Sequence, residues 1–480
     1  MSGSTVSTDS TVTLIGAGLA GSLLGILLAR RGHRVRIYER LPDLRREQIS
    51  AGRSINLALA ARGIRALELA NVMDAVRPLL IPLPGRMLHD PDGRQTFIAY
   101  GQRPEEVIYS VSRPGLNRVL LDAAEAAGVE LHFKQSLLTA NFAERQLTLI
   151  DESNGAKQEV PMRRVVGTDG AGSVLRRSFV SQLGVPCSED LLEHGYKELT
   201  LPAGPNGQHQ LDPNALHLWP RGGFMLIALP NTDGSFTVTL FLAYRAPPPQ
   251  SSARRPTEVP VGHRGKTPDI SFATLTSADR VNAFFAEYFP DAYALMPSLA
   301  QEFFEHPTGV MGTVRCSQWS AGEDMLLLGD AAHAITPFHG QGMNCALEDC
   351  VTLDRLFDTA GSWSRALADF DRLRRPDTDA IATMAIENYQ EMRDTVRAPK
   401  FQLEKALSLE LERRFPDRFV PRYSMVMFHH DIPYSVALSR GQIQAAILDD
   451  LTTTATSLAD IDYDRAAASI TQQLPALPGK

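Results

Sequence analysis

The chain has 480 residues, a formal net charge of −7 at pH 7 and a hydrophobic fraction of 44%. This composition is typical of a globular protein of two or three structural units, and the acidic balance argues against nucleic-acid binding. No apolar run approaches the roughly 20 residues that cross a bilayer as a helix, so no membrane anchor is expected. Residues 1–10 are rich in Ser and Thr and lack the basic start and apolar core of a signal peptide, which predicts a disordered tail.

The four cysteines are Cys187, Cys316, Cys345 and Cys350. None belongs to a CxxC pair, and none lies in a His/Cys cluster with the spacing of a zinc site. The expectation is a reduced, cytoplasmic protein without a bound metal.

Residues 11–40 predict a strand, a glycine turn, a helix and a second strand. The turn contains Gly16, Gly18 and Gly21, and Glu39 ends the second strand. Glycines of this spacing let the backbone approach a pyrophosphate at a helix N-terminus, while the acid bonds a ribose hydroxyl. The alternative is a tight strand-to-helix turn that binds no ligand.

Two aspartates each follow a short apolar strand that ends in glycine. Asp169 comes after residues 165–167, and Asp330 comes after residues 326–329. A carboxylate at such a turn can accept hydrogen bonds from sugar or ribityl hydroxyls, but it can also cap its own helix. We favour the ligand role for Asp330 and leave both roles open for Asp169.

Three strands with turns between them are predicted within residues 215–245, and they form an antiparallel sheet. Residues 246–268, rich in Pro, Ser and basic side chains, predict a mobile loop. From residue 345 onward the pattern is helical. The candidate helices are 345–359, 363–375, 377–396, 400–413 and 440–450.

The stretch 337–344 is rich in glycine and opens a helix. Amides at its Gly342, Met343 and Asn344 are expected to face the pyrimidine of a flavin, where negative charge develops. With the glycine turn more than 300 residues earlier, this stretch indicates FAD rather than NAD. Arg53 and Arg113 are either surface charges or flavin-binding arginines.

The predicted fold class is α/β: a Rossmann-like FAD-binding domain, an inserted antiparallel-sheet substrate domain and a C-terminal helical region. The FAD-binding domain is discontinuous. Its predicted segments are 11–75, 101–185 and 310–365; the substrate domain comprises 76–100 and 186–309; the helical region comprises 366–480.

Asn388, Glu391 and Met392 recur at helical spacing and share one face. On a solvated helix this face has no special meaning, whereas a mixed face of this kind can line an apolar pocket with a polar end. The spacing alone favours neither interpretation.

The glycine turn, the Gly-Thr-Asp-Gly turn at 167–170 and the Gly-Asp-Ala-Ala-His stretch at 329–333 together resemble the single-component flavoprotein aromatic hydroxylases (class A). Further stretches resemble the kynurenine 3-monooxygenase family within that class. They are residues 52–59, 194–199, 213–220, 337–349 and 422–425. The resemblance extends over about residues 10–478, without the C-terminal membrane anchor of mitochondrial members, and the loop at 246–268 looks longer than is usual in the family.

The resemblance implies one FAD, NADPH as a transient reductant, O₂ as co-substrate, no second Rossmann unit and a small aromatic amino acid as substrate. The implied reaction is hydroxylation of L-kynurenine at C3, ortho to the amino group, through a C4a-hydroperoxide of the reduced flavin. No side chain is implied as a covalent or acid–base catalyst.

By the same resemblance, two groups of side chains surround the substrate. Those that bind its carboxylate and polar end are Arg86, Tyr100, Asn388 and Tyr423. Those that surround its aromatic ring are Met225, Phe241, Phe338, His339, Glu391 and Met392; Phe338 and His339 also lie near the flavin.

Two alternatives remain open at the level of sequence. A hydroxylase of the same fold could act on a phenol, on a methylated kynurenine or on another aromatic acid, because a pocket discriminates one methyl group by only about 1–3 kcal/mol. A flavin-binding subunit without turnover is the second alternative, and the complete set of pocket residues argues against it.

Overall fold

The computed structural model describes residues 11–47, 56–245, 270–395 and 398–477. A largely parallel sheet forms one layer. Its strands, in spatial order, are Ser320–Ala321, Met325–Leu327, Val165–Gly167, Val12–Ile15, Val35–Tyr38 and Glu130–His132. Ser320–Ala321 runs antiparallel to its neighbour, and the other pairings are parallel. Val12–Ile15 is buried along its whole length, as expected for a parallel strand with helices on both faces.

Helices cover this parallel sheet, and their apolar faces build the largest core of the described residues. Leu19–Arg30 buries eight residues, including Leu23, Leu24 and Leu28, and packs against Gly342–Thr359. The other helices of this part of the chain are Ala61–Leu69, Met73–Val76, Arg113–Ala126, Val174–Leu183 and Asp330–His333, with a 3₁₀ turn at Arg77–Leu79.

A long, mostly antiparallel sheet forms the second layer. Its strands, in spatial order, are Gly309–Cys316, Cys187–Leu201, Phe236–Ala243, Met225–Pro230, Ala215–Pro220, Gly85–His89 and Gln95–Ala99. The three strands predicted within 215–245 are therefore confirmed, with antiparallel pairing. The helices Ala278–Tyr288, Pro290–Tyr293 and Leu299–Glu305 belong to the same part of the chain, and their aromatic side chains share a second core with this sheet.

The strand Gly309–Cys316 crosses the predicted domain boundary at residue 310. It pairs with Cys187–Leu201 at the edge of the antiparallel sheet, whereas the sequence assigned residues 310–365 to the FAD-binding domain. Its last residues nevertheless pack into the core beneath the parallel sheet, through Val314 and Cys316. The strand thus contributes to both layers through partners more than 100 residues away, and the domain limits stay a prediction.

Two small antiparallel sheets complete the strands of the described residues. One consists of Asn56–Leu59, Ile108–Ser112 and Ile81–Leu83, and the other of Gln135–Asn141, Gln146–Asp151 and Lys157–Pro161.

Helices form the C-terminal region, as predicted. They are Trp363–Gln390, Pro399–Arg414, Arg422–Met427, Tyr434–Thr452 and Tyr463–Gln473, with a π-helical segment at Glu391–Thr395 and 3₁₀ turns at Pro337–His339 and Leu458–Asp460. The predicted break at Pro376 is wrong, because Trp363–Gln390 continues through it. A proline costs an internal helix about 3 kcal/mol, and ion pairs of the residues just before it oppose that cost: Arg375 with Asp371, and Arg374 with Glu348 and Asp349.

Cys187 and Cys316 lie opposite each other on adjacent strands and form a disulfide. This differs from the expectation that all four thiols are reduced. The other two cysteines are free and buried. The predicted tail at 1–10, the loop at 246–268 and Arg53 lie outside the described residues. Among the helices that are described, none combines the length and the apolar character needed to cross a bilayer.

Candidate active site

The glycine turn lies at the carboxyl end of Val12–Ile15, and each of its glycines meets a different constraint. Gly16 has a φ of +102°, and a side-chain carbon there would lie 2.6 Å from the carbonyl oxygen of Thr168. Gly21 would collide with the backbone of Gly16. At Gly18, the N-cap of Leu19–Arg30, an added carbon would meet no protein atom within 4 Å. The turn therefore leaves open space at a helix N-terminus, where a pyrophosphate fits.

Glu39 lies beside the glycine turn, directly after Val35–Tyr38. Its carboxylate accepts hydrogen bonds from the backbone amides of Ala17, at 2.7 Å, and Leu41, at 2.9 Å. A carboxylate fixed at this place is suited to the ribose of a dinucleotide. The residues around the turn thus fit the FAD that the sequence predicts.

Asp169 makes its contacts within its own loop. Ser173 donates to one carboxylate oxygen at 2.6 Å, and the amides of Val174 and Leu175 donate to the other at 2.8 and 3.2 Å. Burial raises the pKa of Asp169, and these hydrogen bonds oppose the rise. Helix capping is the role that these contacts support, and a cofactor contact of Asp169 stays a prediction.

Asp330 follows Gly329, whose φ of +63° turns the chain sharply after the strand Met325–Leu327. A side-chain carbon at Gly329 would lie 3.1 Å from Ala346 and 3.6 Å from Ala20. The Asp330 turn is therefore packed between the helix that follows the glycine turn and the helix Gly342–Thr359. This brings together two motifs more than 300 residues apart, as expected if both contact one cofactor.

A buried carboxylate, Asp349, supports the Asp330 turn from below. It accepts hydrogen bonds from the amide of Gly329 at 3.3 Å, from Nε2 of His333 at 2.6 Å and from Nε of Arg374 at 2.8 Å. Burial opposes ionisation of Asp349, but His333 and Arg374 outweigh it and lower its pKa.

His333, Cys345 and Asp349 place ligand-type atoms within 4.8 Å of one another. The guanidinium of Arg374 already bonds Asp349, and its Nη2 lies 3.5 Å from the Cys345 sulfur. Burial raises the pKa of the Cys345 thiol well above its usual value, which disfavours the thiolate that a metal requires. The cluster is a structural network around an arginine.

The remaining predicted cofactor residues occupy three kinds of place. Gly342 opens the helix Gly342–Thr359, and Met343 packs against the main core. The side chain of Asn344 is buried and bonds the backbone of Ala58, Ala60 and Gly340 at 2.8–2.9 Å, so it fixes that segment. Arg113 is exposed at the first residue of Arg113–Ala126. Contacts of these residues with a flavin stay predictions.

A partly open cavity of about 240 Å³ lies between the antiparallel sheet and the C-terminal helices. Six of the predicted substrate residues line it: Arg86, Tyr100, His339, Asn388, Glu391 and Tyr423. Nη2 of Arg86 lies 3.8 Å from the carboxylate of Glu391. Nε of Arg86 is buried and has no hydrogen-bond partner among the described residues, as expected for a group that awaits a ligand.

Aromatic rings close one side of the cavity. The ring of Tyr423 stacks on Tyr100, with centroids 5.3 Å apart, and on His339, with centroids 5.6 Å apart. Burial raises the pKa of Tyr100 to about 12 and that of Tyr423 well above its usual value. Burial, aided by Arg422, lowers the pKa of His339 to about 4. All three rings are uncharged near neutral pH, and both phenols can donate hydrogen bonds.

The other four predicted ring residues form an apolar cluster beside the cavity. They are Met225, Phe241, Phe338 and Met392, and they pack with Leu88, Leu218, Met311 and Tyr389. Phe338 is central: its ring lies 5.0 Å from Phe241 and stacks on Tyr389 at 4.1 Å.

Asn388 joins the cavity to this apolar cluster. Its Nδ2 donates to the carbonyl oxygen of Phe338 at 2.6 Å and lies 3.4 Å from the sulfur of Met392. The structure therefore brings all ten predicted substrate residues into one region, split into a charged end and an apolar end. Their contacts with a substrate stay predictions.

The chain matches the FAD binding domain family over residues 9–244 and 293–360. It is also 45% identical to a kynurenine 3-monooxygenase of Myxococcus xanthus, over 97% of this chain and 95% of the relative. The chain belongs to the kynurenine 3-monooxygenase family. A second member, from Stenotrophomonas maltophilia, is 43% identical over 98% of both chains.

Solved structures share the fold at low sequence identity. A tetrameric form of 2-methyl-3-hydroxypyridine-5-carboxylic acid oxygenase superposes with a TM-score of 0.61 at 21% identity, over 84% of this chain and 98% of that one. The tetracycline destructase Tet(55) gives 0.60 at 15% identity, over 88% and 98%. These likenesses show that the chain shares the fold of these structures, and the predicted α/β class is confirmed.

Several residues around the site of this chain were not predicted from its sequence. The cavity is also lined by Phe401, Glu404, Lys405, Ser408, Arg422 and Gln444, and Tyr389 stacks on Phe338 in the apolar cluster. A Glu-Lys pair on a helix is usually solvated, so the sequence carries no signal that Lys405 points inward. The orientation of Lys405 becomes visible only in the fold, where the helix Pro399–Arg414 lines the cavity.

Proposed function

We propose that this protein is an FAD-dependent monooxygenase that hydroxylates the aromatic ring of L-kynurenine at C3, using NADPH and O₂. The product is 3-hydroxykynurenine. Its substrate is a small aromatic amino acid, and the proposed location is the cytoplasm.

The observation that carries the proposal is a charged cavity next to an apolar cluster. The cavity presents the guanidinium of Arg86 with an unpartnered Nε. The apolar cluster around Phe338 lies beside it and is joined to it through Asn388. A molecule that satisfies both has an anionic head and an aromatic ring, which describes an aromatic amino acid.

Arg86 fits the substrate carboxylate because a guanidinium binds a carboxylate through two parallel hydrogen bonds. The phenols of Tyr100 and Tyr423 can donate to the same group. These contacts fix the head, so that the ring points toward Phe338 and Met392. Orientation of this kind removes much of the entropic barrier to a bimolecular step.

When bound at the glycine turn, Glu39 and Asp330, FAD supplies the redox and oxygen chemistry with NADPH and O₂. The side chains of the protein orient the substrate and exclude water from the site. The apolar side chains exclude water from the substrate ring, and this exclusion suppresses side reactions with solvent. His339, neutral at working pH, adds no positive charge beside the ring.

The test follows NADPH oxidation by the purified, FAD-loaded protein with and without L-kynurenine. The product is identified by mass and chromatography. Stimulated oxidation with 3-hydroxykynurenine as product supports the proposal.

Two other outcomes would change the proposed substrate. Stimulation without hydroxylated product means that kynurenine only mimics the true substrate. If kynurenine does not stimulate NADPH oxidation, methylated kynurenines and other aromatic acids are screened as substrates. Failure of all of them favours a flavin-binding protein without turnover.

A further inference from the structure

Lys405 is a second cation in the cavity that holds Arg86. It lies on Pro399–Arg414, the helix that covers this cavity. Among the described residues it forms no hydrogen bond and no ion pair within 4.0 Å. Lys405 is half-buried. Partial desolvation of a cation that has no partner is costly, and this cost is a reason to look for a ligand.

The surroundings of Lys405 work against its charge. Desolvation, aided by the positive charge of Arg86 and opposed by Glu391, lowers the pKa of Lys405 to about 7. Arginine side chains keep their charge at every relevant pH. Apart from Arg422, which pairs with Glu387, the cavity therefore has one permanent cation, Arg86, and one cation, Lys405, that is charged only in part near neutral pH.

We propose that Lys405 is a specificity-determining residue whose ammonium pairs with the substrate carboxylate beside Arg86, so that binding of the anionic substrate is coupled to protonation of this lysine. The proposal rests on the proposed function. It adds a proton-linked cation to a site in which the sequence predicted Arg86 alone as the cationic residue.

The coupling has a definite sign. A carboxylate stabilises the ammonium form, so binding raises the pKa of Lys405 and takes up a proton at pH values above about 7. Affinity is highest when the lysine is already protonated and decreases as the pH rises. The affinity levels off when Lys405 is neutral and Arg86 is the cation that still pairs with the substrate carboxylate.

Other charged and titratable groups face the same cavity from several elements. They are Arg86, Tyr100, His339, Glu391, Glu404, Arg422 and Tyr423. The pKa of His339 is about 4, that of Tyr100 is about 12 and that of Tyr423 is raised well above its usual value, so none of these three changes charge between pH 6 and 9. The amino group of the substrate also titrates, and the experiment must separate its effect from that of Lys405.

The experiment measures the Kd of L-kynurenine for the FAD-loaded protein from the flavin absorbance, at pH values from 6 to 9. For the parent, Kd is expected to rise by up to about tenfold over this range. Lys405→Met is expected to bind about tenfold more weakly at pH 6, with little change in kcat. Lys405→Arg keeps a charge that does not titrate, so the ratio of parent Kd to its Kd should rise with pH.

Two further measurements make the test specific. Arg413→Met removes an exposed cation from the same helix, paired with Glu410, and should leave Kd unchanged. Calorimetry in two buffers of different ionisation enthalpy should detect proton uptake by the parent at pH 8 and a smaller uptake by Lys405→Met. The calorimetric comparison does not depend on whether the arginine of Lys405→Arg fits the cavity.

Each outcome supports or overturns the proposed role of Lys405. If the parent binds kynurenine and Lys405→Met binds equally well, Lys405 has no such role, although the proposed function stands. A weaker Lys405→Met together with a ratio and proton uptake independent of pH also overturns the coupling. If the parent itself does not bind kynurenine, the proposed function fails and the Lys405 proposal fails with it.

Discussion

His333 and Asp349 meet at 2.6 Å between Nε2 and Oδ2, beneath the turn that carries Asp330. His333 ends the short helix Asp330–His333, and Asp349 lies in the helix Gly342–Thr359. Asp349 also bonds Arg374 in the C-terminal helix Trp363–Gln390. One buried carboxylate thus joins the predicted flavin-binding turn to the helical region that lines the proposed substrate cavity.

Replacing Asp349 with Asn is expected to weaken both the fold and FAD binding. Arg374 and His333 would lose their shared anion, and removing one partner of a buried pair costs about 3 kcal/mol or more. The melting temperature and the FAD content after gel filtration measure the effect. Asp358→Asn is the control, because Asp358 is an exposed acid of the same helix paired with Arg31. Unchanged FAD content in Asp349→Asn would show that the Asp330 turn does not depend on this carboxylate.

Arg86→Ala is expected to raise KM for kynurenine by about 100-fold, with FAD content close to that of the parent. Truncation of one member of a buried charge pair costs about 2–5 kcal/mol, and Arg86 contacts the cavity rather than the glycine turn. Steady-state kinetics and the flavin spectrum separate the two effects. Arg86→Lys should recover only part of the loss, because lysine lacks the bidentate geometry. A parent-like KM in Arg86→Ala would remove Arg86 from the carboxylate site.

Gly18→Ala and Gly16→Ala are expected to differ in kind. At Gly18 the new methyl group meets no protein atom within 4 Å, so the apo-protein should melt as the parent does while its FAD affinity falls about tenfold or more. At Gly16 the methyl group meets Thr168 and the φ of +102° is strained, so stability should fall as well. Calorimetry of apo-protein and titration with FAD distinguish these results. Equal FAD affinity in Gly18→Ala and the parent would place the pyrophosphate elsewhere.

Tyr423→Phe is expected to raise KM about three- to tenfold without changing FAD content. The hydroxyl group contributes a hydrogen bond worth about 1 kcal/mol, and the stacked ring remains against Tyr100 and His339. Tyr463→Phe, in the last helix and outside the cavity lining, is the matched control. A larger loss of kcat than of KM would mean that Tyr423 acts on the reacting ring instead.

Asp291 is expected to make stability depend on acid pH. Burial opposes its ionisation, but hydrogen bonds from His89 and Trp219 lower its pKa to about 2. Since the unfolded value is about 3.9, Asp291 stabilises the fold above about pH 4, and this contribution disappears as the pH falls toward 2.

The corresponding variant is Asp291→Asn. The Asp291 side chain is 37% exposed, so solvent screens the effect to about 1 kcal/mol. The variant should melt below the parent at pH 7, and the difference should shrink by pH 3. Asp74→Asn, fully exposed, should show no such trend. A difference that is constant with pH would assign the effect to packing.

Sequence alone determined the parts of this protein that depend on local pattern. The glycine turn, the acid Glu39 at the next strand end, the three strands within 215–245 and the helical C-terminal region follow from periodicity and turn chemistry over fewer than about 20 residues. Resemblance to the family then named the residues that the structure gathers in one region, including pairs as distant as Arg86 and Tyr423.

Tertiary structure decided what depends on distant partners. Pro376 continues a helix because its neighbours form ion pairs, and Gly309–Cys316 belongs to the antiparallel sheet because of its partner strand. Asp169 caps its own helix, one of two roles that its turn allowed. In the sequence Lys405 resembles any solvated lysine, whereas in the fold it lines the proposed substrate cavity. Burial and charge environment are set by packing across the whole chain, and no local pattern encodes them.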